Sequence, residues 1–461
     1  MSRFRTTRRA LLAGGGALAV GSAAWWGYGE WERAAAEKDV LAWMKDNTRR
    51  FDSARPASIM ADGAMVRALA GAQVIGIGEA THGSHEDVAC KAQIIKGLVE
   101  AGAIGAVFLE ANAAGGRQLD AFIAGGQGSA LERVVSANIF RILKADPLID
   151  IVEWLRTWNR SAKTPVRIIG IDCQATAPDT VFALDWLRTV DAVAADGFAG
   201  RLEPVINPAV RKMRFPDLIS ALTTRQAQAC MQALVDLQDL LAPDGPHARA
   251  PGRADAAQSA RTAWQGLRAF ELETADGKLE GDLGEYFSRR DIYMADNILH
   301  HAAERAGAYW AHNNHVAGAP ASHGGDVFKP TGHFLRRTLG ERYRAVLFEY
   351  ATARFNAVPT EFLSPLPPAT LPYEVIDWPY RSGRLAGLFR SNGGGDAWID
   401  LAALPKTPAM STWASRHYSM RAPGYAANHW VDLNLPGSIM PRPTIDVLVH
   451  IEALTPSRIR V

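Results

Sequence analysis

Three short apolar runs, each closing on a carboxylate, do most to limit what this chain can fold into. Val74-Ile75-Gly76-Ile77 leads into Gly78-Glu79, Ala103 to Leu109 into Glu110, and Val166 to Ile171 into Asp172. Short runs that are apolar throughout, or broken only by Arg167, suit strands covered on both faces. Helical patterns separate them. One spans roughly Glu86 to Ala101. Another spans Leu148 to Arg160, with Ile151, Trp154, Leu155 and Trp158 on one stripe. Strands alternating with helices predict an α/β fold with a mainly parallel central sheet flanked by helices. In such a sheet every strand ends on the same edge, and ligands bind beyond the carboxyl ends. Glu79, Glu110 and Asp172 then share one rim, which packing alone does not explain. Asp172 also fits a structural or helix-capping role.

The remainder of the chain elaborates that sheet. Residues 31–50 read as a helix. From about 175 to 305 the pattern is almost wholly helical, with an amphipathic stretch at Met231 to Leu241 and a Gly/Pro-rich loop at Pro243 to Arg253. This predicts an inserted helical lobe covering the cleft. Strand character returns at Ala308 to Ala311, Tyr343 to Phe348 and Asp446 to Ile451. Residues 358–440 are rich in Pro, Gly and Trp and give no clear pattern. The expected organisation is an export signal over 1–24 followed by one catalytic domain over 25–461.

The opening segment reads as an address. Arg3, Arg5, Arg8 and Arg9 precede an apolar run from Ala10 to Val20 and a small-residue patch, Ser22-Ala23-Ala24. That order is a secretory signal, and the run is short for a membrane span. Thr7-Arg8-Arg9-Ala10-Leu11-Leu12 resembles a twin-arginine motif. An uncleaved anchor, with Trp25, Trp26 and Trp31 at the interface, is the alternative. The expected location is periplasmic or secreted, with membrane contact only through this segment. Removing its four arginines takes the 50 basic residues to 46, against 48 acidic ones. A near-neutral chain does not point to nucleic acid as a partner. Cys90, Cys173 and Cys230 lie far apart, form no CxxC pair and read as buried, inert thiols.

Two constellations carry the chemistry. Gly78-Glu79-Ala80-Thr81-His82-Gly83 joins a strand to a helix. A carboxylate beside an imidazole fixes its tautomer and raises its basicity. The same residues also suit a plain helix-capping turn. Trp310-Ala311-His312-Asn313-Asn314-His315 ends a later strand with two histidines three apart. That spacing allows a metal site, but the HExxH pattern is absent. His300 and His301 sit in a helical run, and His333 borders the expected pocket. There is no GxSxG elbow, no P-loop and no GxGxxG after a strand.

These stretches together resemble the erythromycin-esterase-like family. The resemblance rests on Gly78 to Ser84, on Phe108-Leu109-Glu110-Ala111, and on Leu148 to Asp172. It continues through Arg290-Asp291 with Met294, Ala295 and Asn297, Trp310 to Val316, Gly332 to Leu335, and Leu448 to Ile451. It implies hydrolysis of an ester or lactone, a macrolide in the resistance members, with no cofactor and no metal. It places catalytic roles on Glu79, His82, Glu110, His312 and His315. Arg290, Lys91, Asp172 and His333 are the expected substrate contacts. Lys91 stands where the family often has Arg, and Lys offers no planar fork. Two other readings stay open. One is a metal-dependent hydrolase using His82, His312 and His315, and the other an exported haem- or iron-binding protein of related fold.

Overall fold

The computed structural model describes residues 36–209, 222–269, 283–323, 326–360, 372–379, 385–420, 422–424, 426–427 and 437–460. The expected export signal lies outside them, and no described helix is long and apolar enough to cross a membrane.

The central sheet contains β1 (Val74–Ile77), β2 (Ala106–Asn112), β3 (Arg167–Asp172), β4 (Gly307–Trp310), β5 (Tyr343–Pro359), β6 (Ala397–Asp400) and β7 (Val447–Leu454). Their spatial order is β6-β7-β5-β1-β4-β2-β3, with Arg49–Arg50 beyond β6. Every pairing from β7 through to β3 is parallel, and β6 runs antiparallel against β7. The chain moves outward from β1 to β2 and β3, then returns to place β4 and β5 on either side of β1. Reversals of this kind open a crevice at the carboxyl edge.

Alternation along each strand divides the core. Ile75, Ile77, Val107 and Leu109 face one cluster, and Val74, Ala106 and Phe108 face the other. Successive side chains of a strand point to opposite faces, so both must be covered. The first face is covered by α1 (Glu86–Glu100), α2 (Ala113–Ile123) and α3 (Asp146–Asn159).

Beyond β3 the helical lobe forms from α4 (Thr176–Val190), α5 (Ala192–Arg201), α6 (Thr224–Leu240) and α7 (Arg253–Ala269). It has its own apolar core, which includes Leu184, Leu187, Leu202, Leu234, Leu237 and Leu267. The helical pattern alone puts the next helix, α8 (Leu283–Ala302), in the lobe. It packs on the sheet instead, because Met294, Ala295 and Ile298 cover Phe108, Ile171 and Tyr309. Two short helices follow, α9 (Asn313–Val316) and α10 (Thr331–Leu339).

Strand limits differ from the expected ones for local reasons. β2 starts at Ala106, because Ala103 donates its N–H to Leu98 O and closes the end of α1. It extends to Asn112 through a register shift between Leu109 and Asn112. Glu110 therefore lies inside a bulge, a device that re-aims a side chain beside a site. β5 runs well past Phe348, held by pairing with β7 and with Glu374–Trp378. A separate antiparallel sheet joins Tyr418–Met420, Gly437–Ile439, Ala321–His323 and Asp326–Phe328. It brings the Phe328 ring to 6.0 Å from His315, edge to face.

Candidate active site

The turn after β1 is built tightly. Gly83 O accepts from Asn356 N and Ser457 N, and a Cβ on Gly83 would overlap the Asn356 backbone. Glycine is needed here for close approach between segments. Asp87, in the first turn of α1, accepts from Ala80 N and Ser84 Oγ. Burial pushes its carboxyl up to about 6. So braced, the turn presents Glu79 and His82. His82 Nδ1 lies 2.6 Å from Glu79 Oε1, and the ring retains 13% exposure. The other oxygen of Glu79 receives Lys91 Nζ. Burial alone would raise the Glu79 pKa, but Lys91 and then His82 outweigh it and hold the carboxyl below its usual value. The family resemblance makes Lys91 a substrate contact, which its burial does not allow. It is fully buried, and its Nζ also donates to Ala311 O at 2.9 Å.

Arg290, on α8, ties the ends of β2 and β3 together. Its Nε and Nη2 donate to the two oxygens of Asp172 at 2.9 and 2.7 Å. Nη2 also donates to Glu110 Oε1 at 2.9 Å, and Glu110 Oε2 accepts His312 N at 3.1 Å. Such forked pairing needs a planar guanidinium. Burial would raise Glu110, but the charges of His315, Arg290 and His82 overcome it and keep this carboxyl ionised, its pKa strongly lowered. Asp172 is wholly buried against Arg290, so it positions that side chain and has no face toward a ligand.

The two histidines after β4 have different settings. His312 is 2% exposed and has both nitrogens engaged. Nδ1 accepts from Asn314 N at 3.2 Å, and Nε2 faces Pro423 O at 3.2 Å. That pattern assigns the proton to Nε2. Burial, helped by the charge on His82, pushes its pKa down to about 3. Its ring stands 4.8 Å from that of His82. His315 instead faces acids. Nδ1 lies 2.8 Å from Asp291 Oδ1, while Nε2 lies 3.1 Å from Arg290 Nη1 and 3.3 Å from Glu110 Oε1. Burial would lower its pKa, but Asp291 and then Glu110 prevail and it is raised.

Three residues here were not singled out from sequence. Asp291 orients His315, and Thr331 fixes Asp291 through its N–H and its hydroxyl. Asn313 clamps Phe348 of β5, donating to its carbonyl and accepting from its N–H. The stretch Arg290-Asp291 through Asn297 was the available signal for Asp291. His333 lies half-buried in the first turn of α10, the helix that Thr331 begins. Burial lowers its pKa, and Arg337 and then Lys329 lower it further.

The cluster does not suit a metal. An ion at His315 Nε2 would meet a guanidinium, and His312 has no uncommitted nitrogen. Among the described residues, no three His, Cys, Asp or Glu side chains are grouped to hold one. The three cysteines are buried and unbridged. Burial raises the thiol pKa of each, so none is activated as a nucleophile.

The chain is similar to proteins of known sequence and structure. The erythromycin esterase family model matches residues 100–454, which hold Glu110, Arg290, His312 and His315, while Glu79 and His82 lie just before it. Erythromycin esterase type I of Escherichia coli is 24% identical over 336 residues, covering 68% of this chain and 77% of its own. A Bacillus cereus protein of known crystal structure superposes with a TM-score of 0.76 at 18% identity, covering 92% of this chain and 99% of that one. An erythromycin esterase mutant solved in its open conformation gives 0.60 at 18% identity, covering 85% and 93%. The fold is therefore that of the erythromycin esterases, and with well over half of its length matched by the family model the chain belongs to that family of ester-bond hydrolases.

Proposed function

We propose that the protein hydrolyses a carboxylic ester or lactone by activating water with His82. The observation that carries this reading is the Glu79–His82 pair. With Nδ1–H donating to Glu79, the neutral ring keeps its lone pair on Nε2, in the one imidazole of the pair of facing rings that has some exposure. Nε2 takes a proton as the water oxygen attacks the carbonyl carbon. The C–O bond to the leaving alkoxide then breaks, and the alkoxide takes a proton back. Arg290, with the His315 ring against it, is the cation available to the developing oxyanion. General-base help is typically worth about 10²–10⁴-fold and a single oxyanion donor about 10²–10³-fold.

A macrolide lactone is one candidate substrate, since the Escherichia coli relative is an erythromycin esterase. The twin-arginine pattern of residues 1–24 makes export part of the same proposal, and a cell-envelope or biosynthetic ester suits an exported enzyme equally. The test is incubation with erythromycin and a panel of simpler esters, with products followed by mass spectrometry. Gain of one water, unaffected by chelator and lost in His82→Ala while the variant stays folded, supports the reading. Full turnover by His82→Ala removes it.

A further inference from the structure

Lys91 is fully buried and charged groups surround its ammonium. Nζ reaches Glu79 Oε2 and Ala311 O, and it sits over the Trp310 ring at 4.8 Å from the centroid. Glu79 follows β1, whereas Trp310 ends β4 and Ala311 follows it. One side chain therefore ties together the two segments that carry His82 and His312. An ammonium in such a place is costly unless paired, so its partners must justify it. It has no exposed atom to offer a substrate.

The surrounding charges show what it balances. Burial lowers the Lys91 pKa, and Glu79, then Asp87 and Glu110, act against it as anions that favour the ammonium. Arg290, the other fixed cation nearby, already serves Asp172 and Glu110. His312 has both nitrogens in hydrogen bonds and adds no charge, and His315 is turned to Asp291 and Glu110. Without Lys91, the Glu79–His82 pair would face Asp87 and Glu110 with no cation of its own. A more negative surrounding raises the proton affinity of both members of the pair. His82 would then keep its proton to higher pH and would be a poorer acceptor at neutral pH.

We propose that Lys91 is a positioning residue that neutralises Glu79 and holds it on His82 Nδ1–H, so that Nε2 keeps the lone pair that accepts a proton from water. This rests on His82 as the general base. The test follows His82 directly in the full chain, with ¹⁵N-labelled histidine and the His82 signals assigned by their loss in His82→Gln. Lys91→Met and Lys91→Gln remove the charge, and the second keeps hydrogen-bond donors at the end of the side chain. Both should move the His82 midpoint up by about one pH unit or more. The acidic limb of kcat/KM on a cleaved ester should move with it. Lys91→Arg, which keeps the charge, should return both toward wild type. A purely structural lysine would lower stability and leave the midpoint in place.

An unmoved midpoint in either folded, charge-free variant overturns the proposal. If neither folds, ¹⁵N-lysine spectra of the wild type decide, with the Lys91 signal identified by its loss in Lys91→Arg. A neutral amine at pH 7 overturns the proposal, and an ammonium supports it. A shifted midpoint with no ester cleaved would keep the Lys91 effect and remove the hydrolase reading.

Discussion

Asp291 holds His315 through both of its oxygens, 2.8 and 3.0 Å from Nδ1. Thr331 donates twice to the nearer oxygen, from its N–H and its hydroxyl. The carboxylate is therefore fixed before it fixes the ring. Asp291→Asn keeps the shape, and the Thr331 donors keep an oxygen at the nearer position. The amide must then face His315 from the other side, where it disturbs the ring's tautomer. The expected result is a kcat lower by about 10²-fold or more with the fold retained. Thr331→Ala should cost roughly tenfold, because the N–H contact survives. Steady-state kinetics on a cleaved ester, with thermal unfolding as control, check both.

The raised pKa of His315 makes a statement about stability. Its unfolded value is near the ordinary histidine value of 6.5, and the folded one is higher because Asp291 and Glu110 outweigh burial. A raised folded pKa contributes stability that is fully present below the unfolded pKa. It is lost as pH rises through the folded value. His315→Gln removes this contribution. The gap in urea midpoint between wild type and His315→Gln should therefore be wider near about pH 5.5 than near about pH 8.5. A gap that widens toward alkaline pH would contradict the assigned sign.

The parts of this site that were legible in sequence are those that local order dictates. A strand that ends in a carboxylate places it on the rim, so Glu79, Glu110 and Asp172 were found together with His82, His312 and His315. What the side chains do there was not legible. Lys91 and Asp172 are charged residues that read as substrate contacts until burial and partners are known. Asp291 lies on the α8 pattern beside Arg289 and Arg290, where an acid looks like a solvated helix face. Only the approach of His315 and Thr331 gives it a role. Between residues 358 and 440, strand signals are weak because pairing is non-local. β6 is four residues, Ala-Trp-Ile-Asp, and it is a strand because β7 and Arg49–Arg50 flank it.

Close packing behind the site yields a stability test away from the chemistry. Helix α2, which begins directly after β2, lies against β3 so closely that a Cβ on Gly116 would overlap the Gly170 backbone. The neighbour is main chain in a central sheet, and it cannot give way as a flexible side chain would. Gly116→Ala should therefore destabilise despite alanine's better helix propensity, by about 1–3 kcal/mol. Urea unfolding measures this. A neutral or stabilising result would mean that α2 and β3 are less tightly set than their backbones indicate.

Arg290 is where stability and chemistry are joined. Its fork contacts Asp172 through two nitrogens, Glu110 through one, and His315 through the third, all from one buried guanidinium. Removing it in Arg290→Met leaves Asp172 and Glu110 buried without their cation, which should cost about 3–5 kcal/mol. Arg290→Lys keeps a charge but cannot span three partners. That variant should recover much of the stability and little of the activity, because a single ammonium cannot serve Asp172 and still reach His315. Parallel urea unfolding and kinetics on both variants separate the two roles. If Arg290→Lys turned over an ester like wild type, the guanidinium fork would be a structural clamp only. The oxyanion would then have to rely on His315.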